Sequence, residues 1–328
     1  MIRVGYEAKE NPRFRFSGSI DMEIIRRQVK RHRRSVLGQW TIRIVVAAMI
    51  VTGTYLVIEN QTYTSVATAD SHKKDTEDSN QYIAFSDGVI RYSRDGVVFL
   101  NKKNKEKWIQ PCQIQNPIVD VNEDVFAIAD VGGNTIMIFQ KSGLKGEIET
   151  TLPIEKISVS NQGIVSAILK NESTPQIISY DAVGNILVEH QVNLNSTGYP
   201  ISLDMSADGE NLMVSYLSTK NGTLKSMVAF YNFGKEGQEK TDNLIYTEDF
   251  EQTVVPDVFY MDASTSVAVG DRSFVIYEGT KSVKKKTEVK LNQEIRSEFH
   301  SDRYIGLFLR IKINQDMKCS FMIKRENR

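Results

Sequence analysis

The chain has 328 residues, 41% apolar and 25% charged, with 41 Lys and Arg balanced by 41 Asp and Glu. That composition excludes a chain disordered throughout, and the zero net charge excludes a general nucleic-acid binder working by phosphate neutralisation. Two cysteines exclude a disulfide-stapled scaffold and a thiolate structural zinc site.

The charge is unevenly spread. Residues 1–40 carry ten Lys/Arg against four Asp/Glu, a net of +6; Arg43 adds one, and the remainder sums to −7. Residues 1–40 read as a basic cytoplasmic segment and 41–58 as a transmembrane helix. Ile44 to Ile58 (IVVAAMIVTGTYLVI) is uncharged, and counting from Trp40 gives nineteen residues. A spanning helix needs about 17–25. Arg43 can snorkel, and Trp40 supplies an interfacial ring. Arg26, Arg27, Lys30, Arg31, Arg33 and Arg34 stand just before the run. A Lys/Arg-rich flank stays inside, so residues 59–328 are expected outside the cell. Two readings compete, a buried core helix and a signal peptide cleaved at Ala67-Thr68-Ala69. The polar flanks disfavour the first, and a basic leader of over forty residues disfavours the second. Ile20, Ile24, Ile25 and Val29 would share one half of a helix, a pattern that suits a basic helix lying on anionic lipid. Orientation by positive charge explains the same residues and is preferred. Residues 59–81 are polar and read as a linker.

Residues 82–310 predict an all-β fold, a β-propeller of four-stranded blades, incomplete, with five to six blades present. Pro117, Pro153, Pro200 and Pro256 each open an extended run: PIVDV, PIEKISV, PISLDM and PDVFYM. Proline is tolerated at a strand's first position. A second apolar run follows each (Val125–Ala129, Ile164–Leu169, Leu212–Leu217, Ser266–Val269). A third ends in an aromatic before Gly143, Gly184, Gly234 or Gly279, and a polar fourth closes the unit. The proline intervals are 36, 47 and 56 residues, matching four strands per blade. Lys235–Asp242 reads as a hairpin insertion. Tyr82–Ile114 forms an earlier unit, and a later one starts at Glu294 and fades after Leu309. A β-sandwich is the alternative, but it gives no reason for the repeated aromatic–glycine hairpin.

The segments GVIRYSRDGVVFLN, NPIVDVNEDVFAIAD and IFQKSGLKGEIETTLPIEKISVSNQGIV, behind a basic and apolar N-terminus, carry a resemblance. Over roughly residues 20–310 the chain resembles a Firmicute family of unknown function. The resemblance implies a single membrane anchor followed by a quinoprotein-like or WD40-like propeller, with no catalytic residues. Residues 311–328 depart from that pattern, with five Lys/Arg and no expected blade hairpin. They read as an aberrant or truncated tail that leaves the ring open.

Asp204-Met205-Ser206-Ala207-Asp208-Gly209 mimics the start of a calcium loop, but position twelve is Ser215 where a bidentate Glu is needed. It reads as an Asp-Gly hairpin. His190 and His300 lie 110 residues apart with no carboxylate spacing around them and read as ordinary blade histidines. Cys112 and Cys319 are expected as free thiols, a disulfide being the alternative. Gly132-Gly133-Asn134 lacks the following helix that a phosphate loop needs and reads as a turn. Lys281, Lys284, Lys285 and Lys286 read as a solvated outer strand, with an anionic wall polymer as the alternative ligand. Trp108 reads as blade packing.

No catalytic, cofactor-binding or metal-ligating residue is assigned, no cofactor is expected, and the binding residues stay open. The main expectation is a membrane-anchored extracytoplasmic binding or scaffold module. Its partners are the membrane and an envelope protein or wall polymer, not nucleic acid. The rival is an enzyme, a quinone-dependent dehydrogenase or hydrolase, using the central channel. A third reading makes residues 1–40 the contact with a cytoplasmic or envelope machine.

Overall fold

The structure is a computed structural model that describes residues 22–59, 80–220, 222–310 and 318–324. The chain divides into two units, Met1–Asp75 and Thr76–Arg328.

In the first unit a helix, α1, runs from Met22 to Glu59, 38 residues. At 1.5 Å per residue that is about 57 Å, well beyond the hydrocarbon core of a bilayer. The expected boundary at residue 41 is therefore not a structural one. Arg, Lys and Gln are good helix formers, so the basic segment continues the apolar helix. No non-helical residue separates Arg26–Arg33 from the apolar run, which leaves no break at which this segment turns to lie along a lipid surface. Every side chain from Ile44 to Ile58 is exposed. This helix is long and apolar enough to cross a membrane.

The second unit is a β-propeller of antiparallel sheets, each in simple meander order. The first sheet contains β1 (Gln81–Phe85), β2 (Gly88–Ser93), β3 (Gly96–Asn101) and β4 (Glu106–Pro111). The second contains β5 (Pro117–Asn122), β6 (Val125–Asp130), β7 (Thr135–Gln140) and β8 (Gly143–Glu149). The third contains β9 (Ile154–Val159), β10 (Val165–Leu169), β11 (Gln176–Tyr180) and β12 (Ile186–Gln191). The fourth contains β13 (Tyr199–Met205), β14 (Asn211–Lys220), β15 (Thr223–Asn232) and β16 (Leu244–Glu251). The fifth contains β17 (Asp257–Asp262), β18 (Thr265–Val269), β19 (Ser273–Glu278) and β20 (Lys284–Lys290). The sixth has three strands, β21 (Ile295–His300), β22 (Tyr304–Leu309) and β23 (Lys318–Lys324).

Packing follows the strand chemistry. The second strands, such as VSAIL and TSVAV, are buried on both faces, as strands sandwiched between sheets must be. The outer strands alternate or stay polar. Five apolar clusters fill the spaces between consecutive sheets. Phe85 and Phe99 meet Phe126 and Phe139 between the first two. Ile138 meets Val165, Ile168 meets Val214, Phe230 meets Tyr277, and Phe274 meets Leu307 across the next four. Each fully buried aliphatic or aromatic side chain contributes about 1.5–3 kcal/mol of transfer free energy. The core of this protein therefore lies between blades, not within any one sheet. Gly146 on β8 marks how closely two blades approach, since a Cβ there would overlap the carbonyl oxygen of Ala182.

Two expectations fail. Lys235–Asp242 is not a hairpin: a short helix, α2 (Lys235–Gln238), and a 3-10 turn (Thr241–Asn243) occupy it. Gly143, Gly184 and Gly279 take positive φ as tight hairpins require, while Gly234 does not. At this insertion Asp242 and Asn243 supply the left-handed residues instead. Together with the ten-residue strands β14 and β15, the insertion absorbs the longest proline interval. The second correction is at the end of the chain. The blade pattern does not stop at Arg310, because Lys318–Lys324 pairs antiparallel with β22. Its lysines stand at the strand ends, flanking a β-compatible Cys-Ser-Phe-Met-Ile run, so a count of basic residues misread it.

Candidate functional site

The inner strands β5, β9, β13 and β17 surround a central cavity of about 1140 Å³, with Tyr92 and the His300–Arg303 turn completing its wall. An inner strand is apolar toward the neighbouring blades, yet some of its side chains meet the lumen. That is why carboxylates sit in the middle of otherwise apolar runs, as in PIVDV and PISLDM.

Several of these polar side chains tie successive blades together. Asp120 on β5 accepts the backbone N–H of Val159 on β9 at 2.6 Å. Ser158 on β9 accepts the N–H of Met205 on β13 at 2.9 Å and donates its own hydroxyl to Asp204 at 2.7 Å. Asp204 on β13 in turn accepts the N–H of Tyr260 on β17 at 2.6 Å. The neighbouring inner strands lack a continuous ladder with one another, so these side chains satisfy backbone donors that would otherwise face the channel. Nearer one end, Lys156 Nζ donates to Ser202 Oγ at 2.7 Å and to Asp257 at 3.2 Å, and Ser202 also donates to Asp257 at 2.9 Å. At the other end Asn161 donates to Glu123, and Arg303 lies 3.5 Å from Asp302.

Burial pushes the Asp204 carboxyl up to about 7, with the charge of Asp120 adding to the effect. Asp120 is raised as well, again chiefly by burial. For both, the remaining exposed surface faces the cavity. His300 stacks face to face on Phe259 at 3.6 Å and its Nδ1 lies 3.2 Å from Glu298. Burial opposes its protonation, but Glu298, Asp204 and Asp257 outweigh that and raise its pKa. Among the described residues no group of three His, Cys, Asp or Glu is placed to hold a metal ion.

The residues singled out by sequence fall in separate places. Within the calcium-loop mimic, Asp204 turns into the channel, while Asp208 caps its own turn by accepting the N–H of Glu210 at 3.0 Å. Gly209, at φ 72°, completes that hairpin. His190 is buried against Tyr231, with ring centroids 4.7 Å apart, far in sequence and role from the channel histidine. Lys281, Lys285 and Lys286 are each paired with carboxylates, Lys285 bridging Glu248 and Glu288 at 2.7 Å. Trp108 stacks on Phe139 at 5.3 Å and donates Nε1–H to the Lys141 carbonyl at 3.1 Å, a packing role. Asn134 bonds back to the Thr150 carbonyl, so Gly132–Asn134 is a turn between β6 and β7. Cys112 is a free, half-buried thiol, raised by burial. The cavity set of Asp120, Glu155, Lys156, Asp204, Asp257 and His300 went unassigned from sequence. The signal was present for Asp120 and Asp204: a carboxylate three or four residues after the repeat proline, inside an apolar strand.

Among solved structures, the chain is similar to hydrazine synthase of Kuenenia stuttgartiensis, at 13% identity over 75% of this chain and 78% of that one, TM-score 0.50. The WD40 domain of Pan2 from Neurospora crassa is 12% identical over 69% and 70%, TM-score 0.48. BamB from Moraxella catarrhalis is 10% identical over 75% and 88%, TM-score 0.40. At such identities the likeness concerns the fold alone. No curated protein sequence matches the chain. Residues 59–320 match a family of unknown function, DUF5711, and the chain belongs to that family.

Proposed function

We propose that this protein is a membrane-tethered binding module whose propeller lies outside the cell and presents its central cavity to a protein or envelope ligand. One observation carries the reading. The cavity of about 1140 Å³ exceeds the roughly 300–1,000 Å³ of ordinary ligand pockets, and charged side chains converge on it from five different blades. The tether is α1, whose exposed apolar surface calls for lipid, with the Lys/Arg-rich end inside. The rim offers less, because Lys285 and Lys286 on β20 are engaged by neighbouring carboxylates.

Site-specific photo-crosslinking in cells tests the reading. A photoreactive residue at Ala263, in the turn at the cavity mouth, should give a discrete adduct, whereas one at the exposed rim residue Val183 should give none. Adducts from Val183 alone would move the binding surface to the rim and overturn the proposal.

A further inference from the structure

We infer that the central cavity binds an organic polycation, a molecule or basic segment carrying several spaced ammonium groups, and that this binding is linked to proton release. The inference rests on the cavity being the binding surface, as proposed above.

Charge is the first argument. Among the described residues, seven carboxylates line the cavity against two permanent cations, Lys156 and Arg303. Asp120, Glu123, Glu155 and Asp204 take their hydrogen bonds from neutral donors: backbone N–H groups, Asn161, Tyr199 and Ser158. Among the described residues, none of these four carboxylates forms an ion pair with a Lys or Arg, so lone pairs remain with no cation on them. A cavity walled by protein focuses such a field, which favours a cationic occupant and excludes an anionic one.

The spacing chooses between kinds of cation. A bound metal ion needs several ligands within about 2.0–2.6 Å of one point. Among the described residues no three acidic, His or Cys side chains approach that arrangement. The carboxylates are instead strung along the channel, from Glu155 near one end through Asp204 to Glu123 at the other. That layout suits ammonium groups spaced along a chain. The wall already contains such a contact: the Lys156 ammonium is received by Ser202 at 2.7 Å and Asp257 at 3.2 Å.

The linkage follows from the groups that face Asp204. Asp120 stands on β5, Lys156 on β9, Asp257 and Tyr260 on β17, and His300 at the end of β21. Asp204 titrates near neutrality because it is buried beside another carboxylate. A cation placed there favours the ionised form, so binding expels a proton and tightens as pH rises.

The test uses the full chain in detergent micelles, with spermine and tetralysine as cationic probes and tripolyphosphate and maltotetraose as anionic and neutral ones. Calorimetry at pH 6, 7 and 8 in buffers of different ionisation enthalpy reads affinity and proton release together. The expected result is binding of both cations, tightening by about tenfold from pH 6 to 8, with net proton release at pH 7. Glu123→Gln at the cavity mouth should weaken binding several-fold, and Asp204→Asn should flatten the pH dependence. Glu172→Gln, an exposed acid away from the cavity lining, should change neither. A preference for tetralysine identifies a basic segment of a partner as the source, and a preference for spermine a free polyamine. Cation binding that is absent, flat with pH, or equally sensitive to Glu172→Gln overturns the inference. If tripolyphosphate or maltotetraose binds instead and Glu123→Gln alters that binding, the polycation falls while the cavity reading stands. If no probe binds and Ala263 gives no adduct, both fall.

Discussion

The Asp204 carboxylate on β13 accepts the backbone N–H of Tyr260 on β17 at 2.6 Å, joining two blades across 56 residues of sequence. The same carboxylate takes the Ser158 hydroxyl from the blade before it. One side chain thus links three consecutive blades, and it does so at the wall of the cavity proposed to bind ligand. Structural latch and cavity charge are here the same atoms, so their energetics can be tested together.

Asp204→Asn should make the protein more stable above neutrality. The native carboxyl is raised from 3.8 to about 7, so between those values the folded state keeps a proton that the unfolded chain has released. Stability from this group therefore falls as pH rises through that window and levels off above it. Asparagine can still accept from Tyr260 and donate to Ser158, without the repulsion from Asp120. Thermal unfolding of both proteins from pH 5 to 8 should show the gap widening in favour of the variant. A gap independent of pH would place the Asp204 titration outside this range.

Ser158→Ala removes the acceptor for the Met205 N–H and a donor to Asp204 in one step. Ser158 is fully buried, so no water replaces the lost group cheaply. The expected cost is about 1–3 kcal/mol, read as a lower urea midpoint with unchanged slope. An unchanged midpoint would mean that the blades are held by apolar packing alone.

Trp108→Ala should cost about 3 kcal/mol, the low end for a large aromatic, because the ring is only half-buried. Trp108→Phe keeps the stack on Phe139 and loses the Nε1 bond to the Lys141 carbonyl, a loss of about 1 kcal/mol. If the alanine variant unfolded at the wild-type urea concentration, the ring would be a surface feature and not a blade spacer.

Protease added to intact protoplasts should digest the propeller and spare a tag fused before Met1. The expectation comes from the +6 balance of residues 1–40 and the apolar stretch within α1. Digestion of the tag with survival of the propeller would reverse the orientation.

The repeat was legible in the sequence because its punctuation is local. Pro117, Pro153, Pro200 and Pro256 mark strand starts, and Gly143, Gly184 and Gly279 mark hairpins, since each meets a backbone requirement that few other residues satisfy. The apolar run from Ile44 to Ile58 was legible for the same reason: length and hydropathy are properties of contiguous residues. Where the backbone requirement was met by other residues, at Asp242 and Asn243, local reading failed and supplied a hairpin in place of α2. The cavity was decided by tertiary structure. Asp120, Lys156, Asp204, Asp257 and His300 are spread over 180 residues, and although the repeat sets Asp120, Lys156 and Asp204 at similar points of their strands, nothing local shows that they share one lumen. They meet because successive blades carry their inner strands around one axis. Burial where the blades meet, with the charge of Asp120 adding to it, raises Asp204 toward neutrality, and the same convergence gives the channel its charge.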